Sequence, residues 1–208
     1  MGKHMIFYDA PNPAPNPRRV RIYLAEKGLS VATKTMSIVA ADHKSADFVA
    51  KYPPGQLPVL ELDDGRMIGE SIAICRYFEA LHPDPPLFGN DPLAIAEIEM
   101  WVRRVEFTLM QAVGQVWMHT HPFTARVVVP QYTEYGESNR PKALAAMRRF
   151  DNALSAGAFL AGEHYSIADI ALLTTIDFAT FIGVPLPDDV PALADWHARV
   201  TARPSAQA

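Results

Sequence analysis

Cysteine is nearly absent from this 208-residue chain: Cys75 stands alone. No internal disulfide can form, which points to a reducing compartment. No run approaches the ~20 consecutive apolar residues that a membrane-spanning helix needs. Basic residues are not in excess, 19 Lys and Arg against 23 Asp and Glu. The net charge of −4 gives no electrostatic case for nucleic acid. There is no internal repeat. His119 and His121 lack a nearby third ligand, so no metal site is expected, and they read as a helix end. Met1-Gly2-Lys3-His4 lead straight into a strand with no signal-peptide apolar region, and Met5 would serve equally as a start. A cytoplasmic location is expected. The composition, 49% hydrophobic and 20% charged, is that of a soluble globular protein.

Proline, by contrast, is plentiful. Eighteen prolines cluster at 11–17, 53–58 and 83–92, as structured loops and a linker do. Met5-Ile6-Phe7-Tyr8 reads as a buried strand. Pro17 suits a first helical position with Asn16 as its cap, and Val20, Tyr23 and Leu24 then mark a helix ending at Gly28. Val31 to Ile38 reads as a second strand, so a βαβ unit is expected. Ser45 to Tyr52 is a short helix that Pro53-Pro54 stops. Asp63-Asp64-Gly65 between two apolar runs is a hairpin signal. Beyond the linker no strand is convincing. Ile95, Ile98, Val102, Val105, Leu109, Ala112 and Val116 step by three and four along one helix face. Met100 and Phe107 add a second ridge, too wide for a helix standing alone. Further helices are marked by Ala143–Leu154, by Ile167–Phe181 and by Leu193, Trp196 and Val200. Ser166 followed by Asp169 predicts a capping box, with both residues structural.

Two stretches carry the functional signal. Pro54-Gly55-Gln56-Leu57-Pro58-Val59-Leu60 puts a proline at the doorstep of a strand. A cis Leu57–Pro58 bond is expected, since proline has cheap access to one. It would turn the Leu57 N–H and C=O away from the sheet, toward another extended chain. Gly69-Glu70-Ser71-Ile72 opens a helix with a carboxylate just before it, and a helix N-terminus offers N–H groups to an anion. Together they suit a peptide backbone and an α-carboxylate with its α-ammonium. In this order, with Asn16-Pro17-Arg18-Arg19-Val20-Arg21-Ile22, Ala25-Glu26-Lys27-Gly28 and Ser166-Ile167-Ala168-Asp169, the chain resembles the cytosolic glutathione transferase family over nearly its whole length.

The resemblance implies a thioredoxin-like α/β domain at 5–82, a linker at 83–92 and an all-α helical bundle at 93–208. It implies glutathione as co-substrate, a small hydrophobic electrophile as acceptor, detoxification chemistry and a homodimer. Glu70 and Ser71 match the contact to the γ-glutamyl group. Gln56, Leu57 and Pro58 match the segment that pairs with the cysteinyl unit, and Lys44 is a candidate for the glycyl carboxylate. Only the thiolate is nucleophilic, and family members stabilise it with a Ser, Tyr or Cys of the first loop. Here the serine-type position falls on Ala14, which has no donor. Asn12, Asn16 and Tyr8 are the remaining candidates. Cys75 falls on a buried helix face and reads as core. Two alternatives follow from Ala14 and from the fold: a glutathione-binding protein with little catalysis, or a glutathione-dependent isomerase or dehalogenase.

Overall fold

A computed structural model describes residues 5–208; the reading made for Met1–His4 lies outside them. The chain folds as two compact units. One runs to Leu87 and takes in Pro204–Ala208, and the other spans Phe88–Arg203.

The first unit holds β1 (Ile6–Asp9), α1 (Pro15–Glu26), β2 (Ala32–Thr35), α2 (Ala46–Lys51), β3 (Val59–Glu61), β4 (Met67–Ile68) and α3 (Ser71–Leu81). This is the thioredoxin-like order. The sheet runs β2-β1-β3-β4. β1 and β2 are parallel, with α1 as their crossover, and β3 lies antiparallel to both β1 and β4. The hairpin turn uses Gly65 at φ +83°, where a side chain would be strained. β2 is the exposed edge strand, shorter than the run from Val31 to Ile38 had predicted.

Helix α1 starts two residues before the predicted Pro17. Pro15 occupies its first turn, and Ala14 holds the cap position without a side-chain cap. Both prolines meet the same condition, since the first helical N–H has no partner to lose. Asn16 therefore lies inside the first turn and is not the cap. At the other end Gly28 takes φ +63°, and the Leu29 N–H reaches the Leu24 carbonyl at 2.9 Å, as in a Schellman ending. α1 packs beside α3, where Cys75 is fully buried and its thiol is pushed up in pKa by that burial. Cys75 is core, as expected. Lys27, its side chain fully enclosed, pairs with Glu79 of α3 at 2.6 Å and donates to the carbonyls of His82 and Pro85. A last short helical turn, Pro204–Gln207, returns to this unit. There the Arg18 guanidinium donates to the Ala206 carbonyl at 3.0 Å and the Ser205 hydroxyl to Glu26.

The second unit is helical apart from one bridge between Phe159 and Gly162: α4 (Pro92–Arg104), α5 (Gln111–Thr120), α6 (Thr133–Glu137), α7 (Arg140–Leu154), α8 (Ile167–Phe181) and α9 (Pro191–Thr201). α4 and α5 form the one long helix predicted, but Val105–Met110 between them is a π-helical turn. Ile98, Val102, Val105, Leu109, Ala112 and Val116 are buried along it, whereas Ile95, Met100 and Phe107 stay exposed. α8 is buried on nearly every side, and its Thr174 and Thr175 hydroxyls bond back to the carbonyls of Ile170 and Ala171. It opens on the predicted capping box. The Asp169 carboxylate takes the Ser166 N–H and reaches further than the pattern foretold, to the Leu160 N–H and the Trp196 indole N–H.

His119 and His121 do mark the end of α5. The ring nitrogen of His119 accepts from the Tyr132 N–H, and that of His121 from the Phe123 N–H. Among the described residues no helix is long and apolar enough to cross a membrane.

Candidate functional site

The first unit carries a cavity of about 330 Å³ lined by Asn16, Ile38, His43, Lys44, Tyr52, Gly55, Gln56, Leu57, Pro58, Glu70 and Ser71. Seven of the residues singled out in the sequence thus meet in one place: Asn16, Lys44, Gln56, Leu57, Pro58, Glu70 and Ser71. Two do not, Tyr8 and Asn12.

One wall is the start of α3. Glu70 sits in its cap position at φ +61°, a conformation rare for a residue with a side chain. That turn leaves the Glu70 carboxylate exposed at the cavity. The Ile74 N–H already bonds the Glu70 carbonyl. The N–H groups of Ser71, Ile72 and Ala73 have no intrahelical acceptor, as at any helix start. The Ser71 hydroxyl is buried and accepts from the Arg19 guanidinium at 3.0 Å. Its oxygen is thereby fixed, and its proton remains to be donated. This wall offers fixed donors for a carboxylate beside a carboxylate for an ammonium group.

The floor is the Pro53–Pro58 loop. The Leu57–Pro58 peptide is cis, as expected, and neither Leu57 backbone group has a partner among the described residues. Gly55 is required here. It has φ +54°, and a Cβ on it would stand 2.9 Å from the His43 carbonyl oxygen. This close approach brings the short 3-10 turn Asp42–Lys44 against the loop, and Lys44 Nζ donates to the Pro54 carbonyl at 3.3 Å. The far end of the cavity is therefore cationic.

Sequence reasoning missed His43 and Tyr52. Among the described residues His43 Nδ1 is buried without a hydrogen-bond partner, and desolvation first, then the Lys44 charge, lowers the ring's pKa. Tyr52 closes on Gly69 so tightly that a Cβ there would meet its hydroxyl oxygen at 1.9 Å. Burial, then the Glu70 charge, pushes the Tyr52 phenol up. The one signal for Tyr52 was Gly69 two residues before the helix-opening Ser71, and it does not name a partner.

Tyr8 lies elsewhere for a reason that strand geometry supplies. Alternation along β1 puts it on the opposite face from Phe7, against Met36, Phe48 and Val59. Its hydroxyl donates to Glu61 at 2.5 Å. The Glu61 carboxyl is held below its usual range by that hydroxyl first, with Lys51 adding to it. Asn12 is held outward, its amide oxygen taken by Arg21 at 2.6 Å. Tyr8→Phe is therefore expected to act on stability and not on a bound thiol. A carboxylate with a depressed pKa stabilises the fold above its unfolded value and loses that contribution as pH falls through the depressed one. Removing the hydroxyl should move Glu61 back toward the ordinary carboxylate range and make the protein unfold at a higher pH during acidification. A carboxylate NMR titration with an acid-unfolding curve checks this; a Glu61 that titrates as before would defeat it.

Asn16 is the one loop candidate that reaches the cavity. Pro15 and Pro17 on either side have no N–H, and the Arg18 N–H bonds the Ala14 carbonyl. The first turn of α1 thus presents a single backbone donor, the Asn16 N–H, next to the Asn16 side-chain amide.

Two sequence families match the chain. Residues 14–81 match the "Glutathione S-transferase, N-terminal domain" profile and residues 110–204 the "Glutathione S-transferase, C-terminal domain" profile. The "Glutathione S-transferase 2" of Saccharomyces cerevisiae is 38% identical over 208 residues, covering 99% of this chain and 89% of that protein. The crystal structure of Gtt2 from the same yeast superposes with a TM-score of 0.90 at 37% identity, over 97% of this chain and 98% of that one. A glutathione S-transferase domain-containing protein of Marinobacter aquaeolei gives 0.91 at 37% identity, over 96% and 98%.

Proposed function

Since the chain belongs to the glutathione S-transferase family, we propose that the cavity of the first unit is its glutathione site and that glutathione thiolate is transferred there to an apolar electrophile. The observation that carries this reading is the convergence of three complementary features on one wall, floor and end. The start of α3 with Ser71 takes the γ-glutamyl carboxylate, and Glu70 takes its ammonium. The unpaired Leu57 backbone pairs with the cysteinyl unit, with Gln56 beside it. Lys44, assisted by His43, takes the glycyl carboxylate. Such a clamp fixes the tripeptide at both ends and presents its sulfur in one orientation.

The sulfur is held by Asn16, through the lone N–H of the α1 first turn and the side-chain amide, with the positive end of that helix behind them. The thiol proton leaves to solvent. The thiolate then forms the S–C bond while the acceptor's leaving group departs with the electron pair of its own bond. Neutral amides stabilise an anion less than a charged partner does, so the activity is modest. The acceptor is small and apolar. The exposed Leu93, Ile95, Met100 and Phe107 along the long helix support a homodimer, and sedimentation at micromolar concentration tests it. The single, buried cysteine suits the cytoplasm.

The hydroxyl-free Ala14 favours a second reading, a glutathione-binding protein with little turnover. Calorimetric binding of glutathione alongside an aryl-halide conjugation assay separates the two. Binding with turnover supports transfer; binding without it supports the second reading; no binding removes both. Ser71→Ala is expected to weaken glutathione about tenfold or more, the worth of a hydrogen bond to a charged group. Unchanged affinity in that variant would move the γ-glutamyl group away from α3.

A further inference from the structure

The loop between β1 and α1 has little backbone bonding to hold it. Within residues 9–17, Pro11, Pro13, Pro15 and Pro17 have no N–H to give. Ala14 leaves the start of α1 without a side-chain cap. Among the described residues two backbone bonds remain between Ala10 and the first turn, from the Ala14 N–H to the Pro11 carbonyl and from the Arg18 N–H to the Ala14 carbonyl. Both measure 3.3 Å, longer than the ~2.7–3.2 Å of a good N–H···O bond. Bonds so few and so long do not fix a loop to the fraction of an ångström that chemistry on a bound sulfur demands.

Arg21, in the second turn of α1, supplies what the backbone lacks. Its guanidinium reaches back over the loop and ties three points of it. Nη1 donates to the Asp9 carboxylate at 2.6 Å and to the Ala10 carbonyl at 2.9 Å, and Nη2 donates to the Asn12 amide oxygen at 2.6 Å. A planar fork with fixed N–H directions suits this grip, whereas a lysine ammonium is a point charge on a flexible stem. The side chain of Asp9 is 8% exposed and that of Arg21 18%, so the ion pair is shielded from solvent. Each charge cancels the other. Arg21 therefore is not a free cation beside the sulfur, and it does not line the glutathione cavity. Its contacts act on the loop.

We infer, resting on the reading that Asn16 holds the sulfur, that Arg21 is a positioning residue for thiolate formation. It binds the β1–α1 loop to its own helix. The first turn of α1, with the Asn16 N–H and side-chain amide, thereby keeps one placement against the cysteinyl sulfur. Asn12 gains a role that needs no contact with glutathione, since its amide oxygen is one of the three points held.

The test is a pH titration of the thiolate absorbance of bound glutathione in the parent, Arg21→Met and Asn12→Ala. The buried Cys75 thiol, pushed up in pKa, does not add to that absorbance near neutral pH. S-methylglutathione, which has no thiol to ionise, is the binding control. Arg21→Met should carry about tenfold less thiolate than the parent at neutral pH, the worth of a hydrogen bond to an anion, and Asn12→Ala should change in the same direction by less. kcat/KM for an aryl halide should fall with the thiolate and return toward the parent at alkaline pH, where the thiol ionises without help. All three proteins should bind S-methylglutathione alike. Asn12 is exposed and its loss leaves the Asp9–Arg21 pair in place, so that variant should keep the parent melting curve even where Arg21→Met lowers it. Thiolate curves of Arg21→Met and Asn12→Ala that superpose on the parent would overturn the inference and leave the glutathione reading standing. So would a loss of S-methylglutathione affinity as large as the loss of thiolate, because Arg21 would then support the whole site. A parent that binds neither compound would remove the glutathione reading and this inference with it.

Discussion

Asp169→Ala is expected to lower the stability of the helical unit by about 4 kcal/mol. The carboxylate is fully buried, and burial pushes its pKa up against four donors that hold it. Oδ1 accepts from the Leu160 N–H and the Trp196 Nε1–H, both at 2.9 Å. Oδ2 accepts from the Ser166 N–H at 3.0 Å and its hydroxyl at 3.1 Å. Alanine leaves three buried N–H groups without a partner, at ~1–3 kcal/mol each before relaxation. Loss of the cap alone would cost ~0.5–2 kcal/mol. The excess arises because one carboxylate ties α8, α9 and the chain before α8 together. Against a total of ~5–15 kcal/mol, the melting temperature should fall by roughly 8–16 °C at ~2–4 °C per kcal/mol. Whatever protein remains folded should bind glutathione normally. A variant that melts like the parent but has lost activity would make Asp169 a participant in the chemistry.

Lys27→Met should cost about 3–5 kcal/mol, in the first unit. The ammonium lies 2.6 Å from Glu79, whose carboxylate also accepts from the Tyr23 hydroxyl. Glu79 holds that phenol well above its usual range, second only to burial. Methionine fills the space but takes from the largely buried Glu79 carboxylate the ammonium 2.6 Å from it, and leaves two carbonyls, of His82 and Pro85, without that donor. Removing one partner of a largely buried pair costs that much because the other charge keeps its desolvation penalty and loses that attraction. The companion change Glu79→Gln on top of Lys27→Met should recover a large part of the loss. A double-mutant cycle in urea measures it. Additive effects of the two changes would show that the pair is not coupled.

The sequence disclosed most of the fold because its signals are local. Asp63-Asp64-Gly65 demands a hairpin, Ser166 and Asp169 demand a cap, and the three-four spacing from Ile98 to Val116 demands a helix. The π-helical turn was invisible in that spacing. Ala112 and Val113 are both buried, so the apolar positions satisfy the helix with or without the slip. The start of α1 was ambiguous because Pro15 and Pro17 are equally suited to a first turn. Six of the residues that line the cavity of the first unit lie in the two motifs, but His43 and Tyr52 do not. They enter the cavity only because Gly55 and Gly69 lack side chains, and a glycine in a sequence does not say which neighbour fills the space it leaves. Tyr8 misled for a similar reason: its nearness to the first loop along the chain conceals that a strand sends neighbouring side chains to opposite faces.

The return of Pro204–Gln207 to the first unit makes synthesis and folding run out of step. Residues up to Leu87 leave the ribosome first, yet Arg18 and Glu26 on α1 wait for Ala206 and Ser205 at the very end of the chain. At ~5–20 residues per second the delay is on the order of ten seconds. During that interval the nascent first unit exposes the face of α1 that its final turn will cover, while the helical unit is still being made. The same connectivity means that one proteolytic cut between the units, at either junction, leaves them joined through the other.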